Sequence, residues 1–212
     1  MPTEDLFWRR AVVLASALIY WAGVWVQACR VRRHIGKSPN LRPRGTKEKL
    51  LWLGWLVVIV SWSGQPFLAG SDSALPGLRI FAPLLHPLGF AFGLVLTLAG
   101  YAGTLWCYAT MGDTWRIGIN RNEKNALVTC GPYRWVRHPI YSFQIVMLGG
   151  VLLLLPTGLS LLMLGLHALC VRVKAADEEA YLAAVHGQSY RDYVARTGRL
   201  VPRLFGRRTR AE

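Results

Sequence analysis

The chain has 212 residues, a formal charge of +14, 53% hydrophobic residues and a positive mean hydropathy. The length falls within the range of one domain, and so much apolar side chain excludes an ordinary small soluble domain. Long uncharged apolar stretches speak against a nucleic-acid-binding protein despite the charge; the combination fits an integral membrane protein whose basic loops lie near anionic headgroups.

In chain order, residues 11–28 form the first apolar stretch of spanning length, following Trp8-Arg9-Arg10. It runs into QACRVRRH rather than a small-residue cleavage site, which makes it a retained span and not a removed signal peptide. Residues 50–69 form a second span, with three tryptophans of the interfacial-belt type. Residues 75–87 hold three prolines and read as a loop or short interfacial segment. Residues 88–111 form a third span with no charged residue. Residues 141–155 and 158–171 are shorter, and the break at Pro156-Thr157-Gly158 makes them a helical hairpin. The chain then predicts a helix to about Val185, a break at Gly187 and a second helix over 189–197, with an apolar stripe of Tyr181, Val185, Tyr190, Tyr193 and Val194.

The expected fold is therefore an all-α integral membrane protein of about five transmembrane helices, with a cytoplasmic helical C-terminal segment. It forms a single domain over 1–212: three N-terminal spans in 1–110, a catalytic part in 111–202 and a basic tail in 203–212. Lys and Arg bias orients it. Segment 30–49 carries eight basic residues against Glu48, and segment 112–140 carries five against Asp113 and Glu123. Segment 70–79 holds only Asp72 and Arg79. The two basic loops and the C-terminus are thus expected in the cytoplasm and the N-terminus outside, although Arg9 and Arg10 at the outer end run against that rule.

The four cysteines are far apart and suggest neither a disulfide framework nor a zinc site, and no metal is expected. His86 and His167 stand alone in or near apolar segments and read as hydrogen-bonded structural residues. Gly89 and Gly93 have the spacing of a helix-packing face. No phosphate-binding glycine loop and no GxGxxG after a strand are present, so a soluble dinucleotide domain is unsupported.

The chemistry-bearing residues cluster at the basic end. In RHPIY, Pro139 suits the first turn of the fourth helix, which puts His138 at its entrance and Tyr141 in its first turn. Tyr133 and Trp135 can flank a planar ring, and Arg137 or His138 at a helix N-terminus can take a carboxylate. Equally, arginine and aromatic residues at a membrane entry point serve as interface anchors. Lys174, Glu178 and Glu179 form the second cluster, readable as a solvated helix with a Lys174–Glu178 ion pair or as carboxylates facing RHPIY. The hairpin favours the latter, since antiparallel helices bring His138 beside Glu178.

MGDTWRIGI, LVTCGPYRWVRHPIY, the hairpin and DEEAYLAAVHGQSYRDYVARTGRLVP together resemble the membrane methyltransferases of the isoprenylcysteine carboxyl methyltransferase and phospholipid methyltransferase superfamily, over about Met111 to Pro202. The resemblance implies an S-adenosylmethionine-dependent enzyme, releasing S-adenosylhomocysteine, with its cofactor held at the cytoplasmic side. Carried over, cofactor contacts fall on Asn120, Asn125, Leu127, Val128, Tyr133, His138, Pro139, Ile140, Tyr141 and Glu178. Lys174, Glu178 and His138 are the catalytic candidates. Lys174 stands where the family usually has a substrate-facing arginine, and lysine cannot make arginine's planar two-bond clamp.

The expected activity is methyl transfer to a lipophilic acceptor drawn from the bilayer, with isoprenylcysteine-type carboxylate O-methylation leading. Phospholipid N-methylation is the rival within the superfamily. A non-catalytic transport or assembly subunit is the rival outside it. A related branch that reduces sterols with a nicotinamide cofactor suits a short five-span chain less well. The expected location is a bacterial inner membrane, with membrane lipids but no nucleic acid as partners.

Overall fold

The computed structural model describes residues 3–36, 38–39, 43, 45–70, 72–117 and 126–203. Six α-helices carry the fold: α1 (Thr3–Ile35), α2 (Gly45–Leu68), α3 (Pro87–Met111), α4 (Pro139–Leu154), α5 (Gly158–His186) and α6 (Gln188–Arg196). Among the described residues there is no β-sheet, only isolated bridges. Helices α1, α2, α3 and α5 are each long and apolar enough to cross a membrane, and α4 is a shorter apolar helix. The all-helical membrane fold is thus as expected.

Element ends follow local chemistry. No proline interrupts residues 3–35, so α1 extends well beyond the apolar 11–28 and takes QACRVRRH into the helix instead of a loop. His86 caps α3, its Nδ1 accepting from the Leu88 N–H at 3.2 Å, with Pro87 at the first helical position. Thr157 caps α5 by accepting from Ser160 N–H at 3.0 Å. Gly187, at φ 55°, separates α5 from α6, as the sequence predicts. Residues 75–87 contain two short 3₁₀ turns, Pro76–Leu78 and Ala82–Leu84, rather than a helix.

Helices α3 and α4 pack most closely, because glycines remove the side chains between them. A Cβ on Gly100 would lie 2.6 Å from Phe143 O, and one on Gly150 would lie 2.6 Å from Gly93 O. Small residues permit this backbone approach where lipid offers no hydrophobic drive for association. Gly93 belongs to this face. Gly89 lies at its edge, where a Cβ would stand 3.0 Å from Leu84 O and 3.9 Å from Leu153 O of α4.

One end of the bundle gathers the α1 N-terminus, the end of α2, residues 72–87 and the α4–α5 turn. Arg9 accounts for the arginines expected to conflict with an outer location. It is fully buried and donates to the carbonyls of His86 (2.9 Å), Leu153 and Leu154 (3.4 Å each), while pairing with Asp5 at 2.9 Å. A cation at the C-terminus of α4 satisfies carbonyls that the helix leaves open. Arg10 likewise donates to Ala69 O. The opposite end gathers the end of α1, the start of α2, residues 112–117 and 126–138, and α6.

Candidate active site

Three segments converge at that second end. Pro139 starts α4 and places His138 just before it, as expected. The chain before His138 pairs with the segment after α6: Arg137 N–H donates to Gly198 O (2.8 Å), His138 N–H to Arg199 O (3.1 Å) and Gly198 N–H to Trp135 O (3.1 Å). Ser142 Oγ donates to Leu200 O at 2.6 Å. The antiparallel α4–α5 hairpin supplies the acidic pair from the far end of α5.

His138 lies between both carboxylates. Its Nδ1 is 3.3 Å from Glu178 Oε2. Its Nε2 is 3.4 Å from Glu179 Oε1 without the alignment of a hydrogen bond, so that approach counts as charge attraction. Burial opposes charging the imidazole, but Glu178 and Glu179 outweigh it and hold the His138 pKa above its ordinary value. Tyr141 donates to Glu178 Oε1 at 2.9 Å, and its ring stacks on His138 with centroids 5.7 Å apart. Glu179 turns away from the cavity to Arg137 Nε (2.8 Å) and Arg199 Nη2 (2.5 Å). Arg137 also donates to Thr197 O at 2.5 Å. Its Nε and Nη1 thus clasp Glu179 and the segment after α6, while the residue also lines the adjacent cavity.

These groups open on a cavity of about 760 Å³. Of the expected site residues, Leu127, Val128, Tyr133, His138, Ile140, Tyr141, Lys174 and Glu178 all line it. Pro139 is buried but does not line it; its part is to start α4. Asn120 and Asn125 lie outside the described residues. Tyr133 is buried, but Trp135 points outward, half-exposed, with Arg134 over its ring at 5.0 Å and Trp106 against its edge. Trp135 therefore does not flank the site; its setting is that of an interface anchor.

Three further expectations change. Lys174 is buried and makes no ion pair with Glu178, because Glu178 is taken by Tyr141 and His138. Among the described residues Lys174 has no anionic partner. Trp52, Trp55 and Trp62 are not simply a belt. All three line the cavity, and Trp62 is buried with its Nε1 donating to Ser16 Oγ at 3.2 Å. His86 is hydrogen-bonded as expected, whereas buried His167 has an Nε2 without a partner and also lines the cavity.

The sequence reading passed over Arg199, which holds Glu179, and Tyr20 and Gln144, which bond to each other beside the cavity. Tyr190 and Tyr193, read only as an apolar stripe, roof the cavity from α6, and Tyr193 donates to Tyr133 O at 2.6 Å. Arginine at position 199 had a legible signal, a basic residue just after the tyrosine-rich helix. Nothing local marked Tyr20 or Gln144.

The fold and site define a class: an all-helical multi-pass membrane protein with a His–Glu–Tyr cluster lining a largely apolar cavity. Residues 93–184, from within α3 to near the end of α5, match the model of the isoprenylcysteine carboxyl methyltransferase (ICMT) family. The match supports a membrane methyltransferase of the isoprenylcysteine type. No curated protein matches the chain.

Proposed function

We propose that the protein transfers a methyl group from S-adenosylmethionine to an acidic, lipophilic acceptor. The observation that carries this reading is one cavity lined both by a polar cluster, His138, Glu178, Tyr133 and Tyr141, and by the aromatic rings of Trp52, Trp55 and Trp62. Its volume lies in the range of pockets that hold ligands of drug size.

The residues fit the cofactor. The hydroxyls of Tyr133 and Tyr190 and the Nε2 of His138 are buried without hydrogen-bond partners. Buried polar atoms are normally paired, and a ligand rich in hydroxyl, amino and carboxylate groups supplies such partners. Glu178 would take an amino group or ribose hydroxyl, protonated His138 a carboxylate, and the tyrosine rings the adenine or the sulfonium face. The bound cofactor supplies an electrophilic methyl group on a positively charged sulfur.

Lys174 lies one helical turn from Glu178 on the same face of α5 and lines the same cavity. A buried lysine without a protein anion among the described residues favours an anionic acceptor, which supports carboxylate O-methylation over amine methylation. Lys174 would hold the acceptor carboxylate in line with the methyl group, and the tryptophan rings would exclude water from the reaction. A carboxylate acceptor has no proton to lose, so His138 binds and positions rather than acting as a base. The basic loops support a cytoplasmic location for this end by the positive-inside rule.

Titration calorimetry with S-adenosylhomocysteine on the detergent-solubilised protein tests the cofactor assignment. His138→Ala and Glu178→Gln should each weaken binding by roughly one to two orders of magnitude, the loss of one charge-assisted hydrogen bond, while the protein stays folded. Wild-type affinity in both variants would sink the assignment and return RHPIY to an interface anchor.

A further inference from the structure

His167 is the one histidine inside the apolar part of α5, residues 158–171. A polar side chain in a membrane-spanning segment is costly unless it is partnered, and such a residue marks a functional site by default. His167 is 5% exposed, and its Nε2 is sealed from solvent without a hydrogen-bond partner. Trp21, on α1, shares the condition: its indole Nε1, which can only donate, is buried without a partner. Both residues line the cavity that also holds Lys174 and Glu178. The helices around them are tightly fitted. A Cβ on Gly54 of α2 would lie 2.7 Å from Cys170 Sγ and 3.8 Å from Leu166 Cδ1, the residues flanking His167. Two orphaned polar groups therefore line a cavity whose walls are mostly hydrocarbon and aromatic rings.

The position of His167 along the cavity follows from helix geometry. His167 precedes Lys174 by seven residues, almost two turns, so the two share a face of α5 about 10 Å apart along the axis. An acidic amphiphile anchored at Lys174 would lay its middle section beside His167.

We propose that His167 and Trp21 form a second polar subsite that recognises an oxygen function, a hydroxyl or carbonyl, in the hydrophobic portion of the acceptor. The inference rests on the reading of the acceptor as a lipophilic acid, and it narrows that class to acids that are not plain hydrocarbon beyond the carboxylate. A site whose buried groups are left unpaired by the plain analogue discriminates against it more strongly than a purely apolar site can.

Three fatty acids of equal chain length serve as probes for the detergent-solubilised protein: unsubstituted, mid-chain hydroxylated and terminally hydroxylated. Affinity is read by quenching of intrinsic tryptophan fluorescence, and S-adenosylhomocysteine binding is measured separately by calorimetry. The wild type should prefer the mid-chain hydroxy acid over both others by about five- to tenfold, the worth of one hydrogen bond. His167→Phe should abolish that preference and leave the affinity for the unsubstituted acid near wild type. His167→Gln, which keeps a donor and an acceptor, should retain part of the preference, and Trp21→Phe should reduce it. A residue that only packs would alter stability in these variants and leave the ratio between the acids unchanged. Equal binding of the three acids, binding of none by a protein that still binds S-adenosylhomocysteine, or a preference that survives His167→Phe would overturn the subsite. A wild type that keeps the preference but fails to bind S-adenosylhomocysteine would retain the subsite and remove the methyltransferase reading.

Discussion

At the scale of single residues, the site works by dividing two adjacent carboxylates between different tasks. Glu178 faces the cavity and is held by Tyr141 and His138, while Glu179 faces the clasp of Arg137 and Arg199. His138, between them, has a pKa raised above 6.5 despite its burial. The sign of the pH dependence follows. A raised folded-state pKa stabilises the protein fully below the unfolded value and no longer does so once pH has risen through the folded one. Thermal unfolding at increasing pH should show this loss in the wild type, and His138→Asn should flatten that part of the profile. A parallel offset between the two profiles would mean that the imidazole stays neutral. Under the proposed reaction, Lys174 separates acceptor from cofactor recognition. Lys174→Met should lower turnover of an acidic acceptor while leaving S-adenosylhomocysteine affinity near wild type. Lys174→Arg should be tolerated, since it keeps the charge and adds donors. Equal loss of cofactor affinity in Lys174→Met would place the residue in the cofactor end instead.

At the scale of elements, α4 is too short to behave like its neighbours, and its close fit to α3 compensates. Gly100 is the sharpest test, because an added Cβ would meet backbone as well as side chain: Phe143 O at 2.6 Å and Met147 N at 2.8 Å. Gly100→Ala should therefore destabilise the protein by about 1–3 kcal/mol through overpacking. Gly149→Ala and Gly165→Ala are the controls. Both positions are helical and have open space where the Cβ would stand. There alanine should be neutral or better by up to about 1 kcal/mol, its gain in helix propensity over glycine. Thermal unfolding in one detergent ranks the three variants, and equal effects would refute the close-contact account of α3 and α4.

At the scale of the whole molecule, all the site groups sit at the end that carries the basic segments, and the turn of the α4–α5 hairpin sits at the other. This predicts opposite accessibility for two surface positions. In a background without native cysteines, Ala74→Cys should react with a membrane-impermeant thiol reagent added to intact cells. Ser189→Cys, at the start of α6, should react only after permeabilisation. Labelling of both from outside, or the reverse pattern, would reject the orientation. Arg9 and Arg10 do not weigh against it, because their guanidinium groups are spent on backbone carbonyls within the bundle.

The sequence by itself determined the apolar spans, the hairpin break at Pro156, the Gly187 break and the start of α4 at Pro139, because proline, glycine and uninterrupted hydrophobicity act within a few residues. It also brought His138 near Glu178, since a tight turn leaves two helices only one way to lie. The length of α1 was under-read because its arginines, polar in any hydropathy count, are good helix formers. Only the tertiary structure decided how individual side chains were used. Arg137 and Glu179 are bound to the segment after α6, Trp135 turns outward and Trp62 inward, and Lys174 is left without the Glu178 partner that its spacing suggested. Each outcome depends on contacts between residues about 20 to more than 60 positions apart, and helical periodicity reports which residues share a face but not what that face meets.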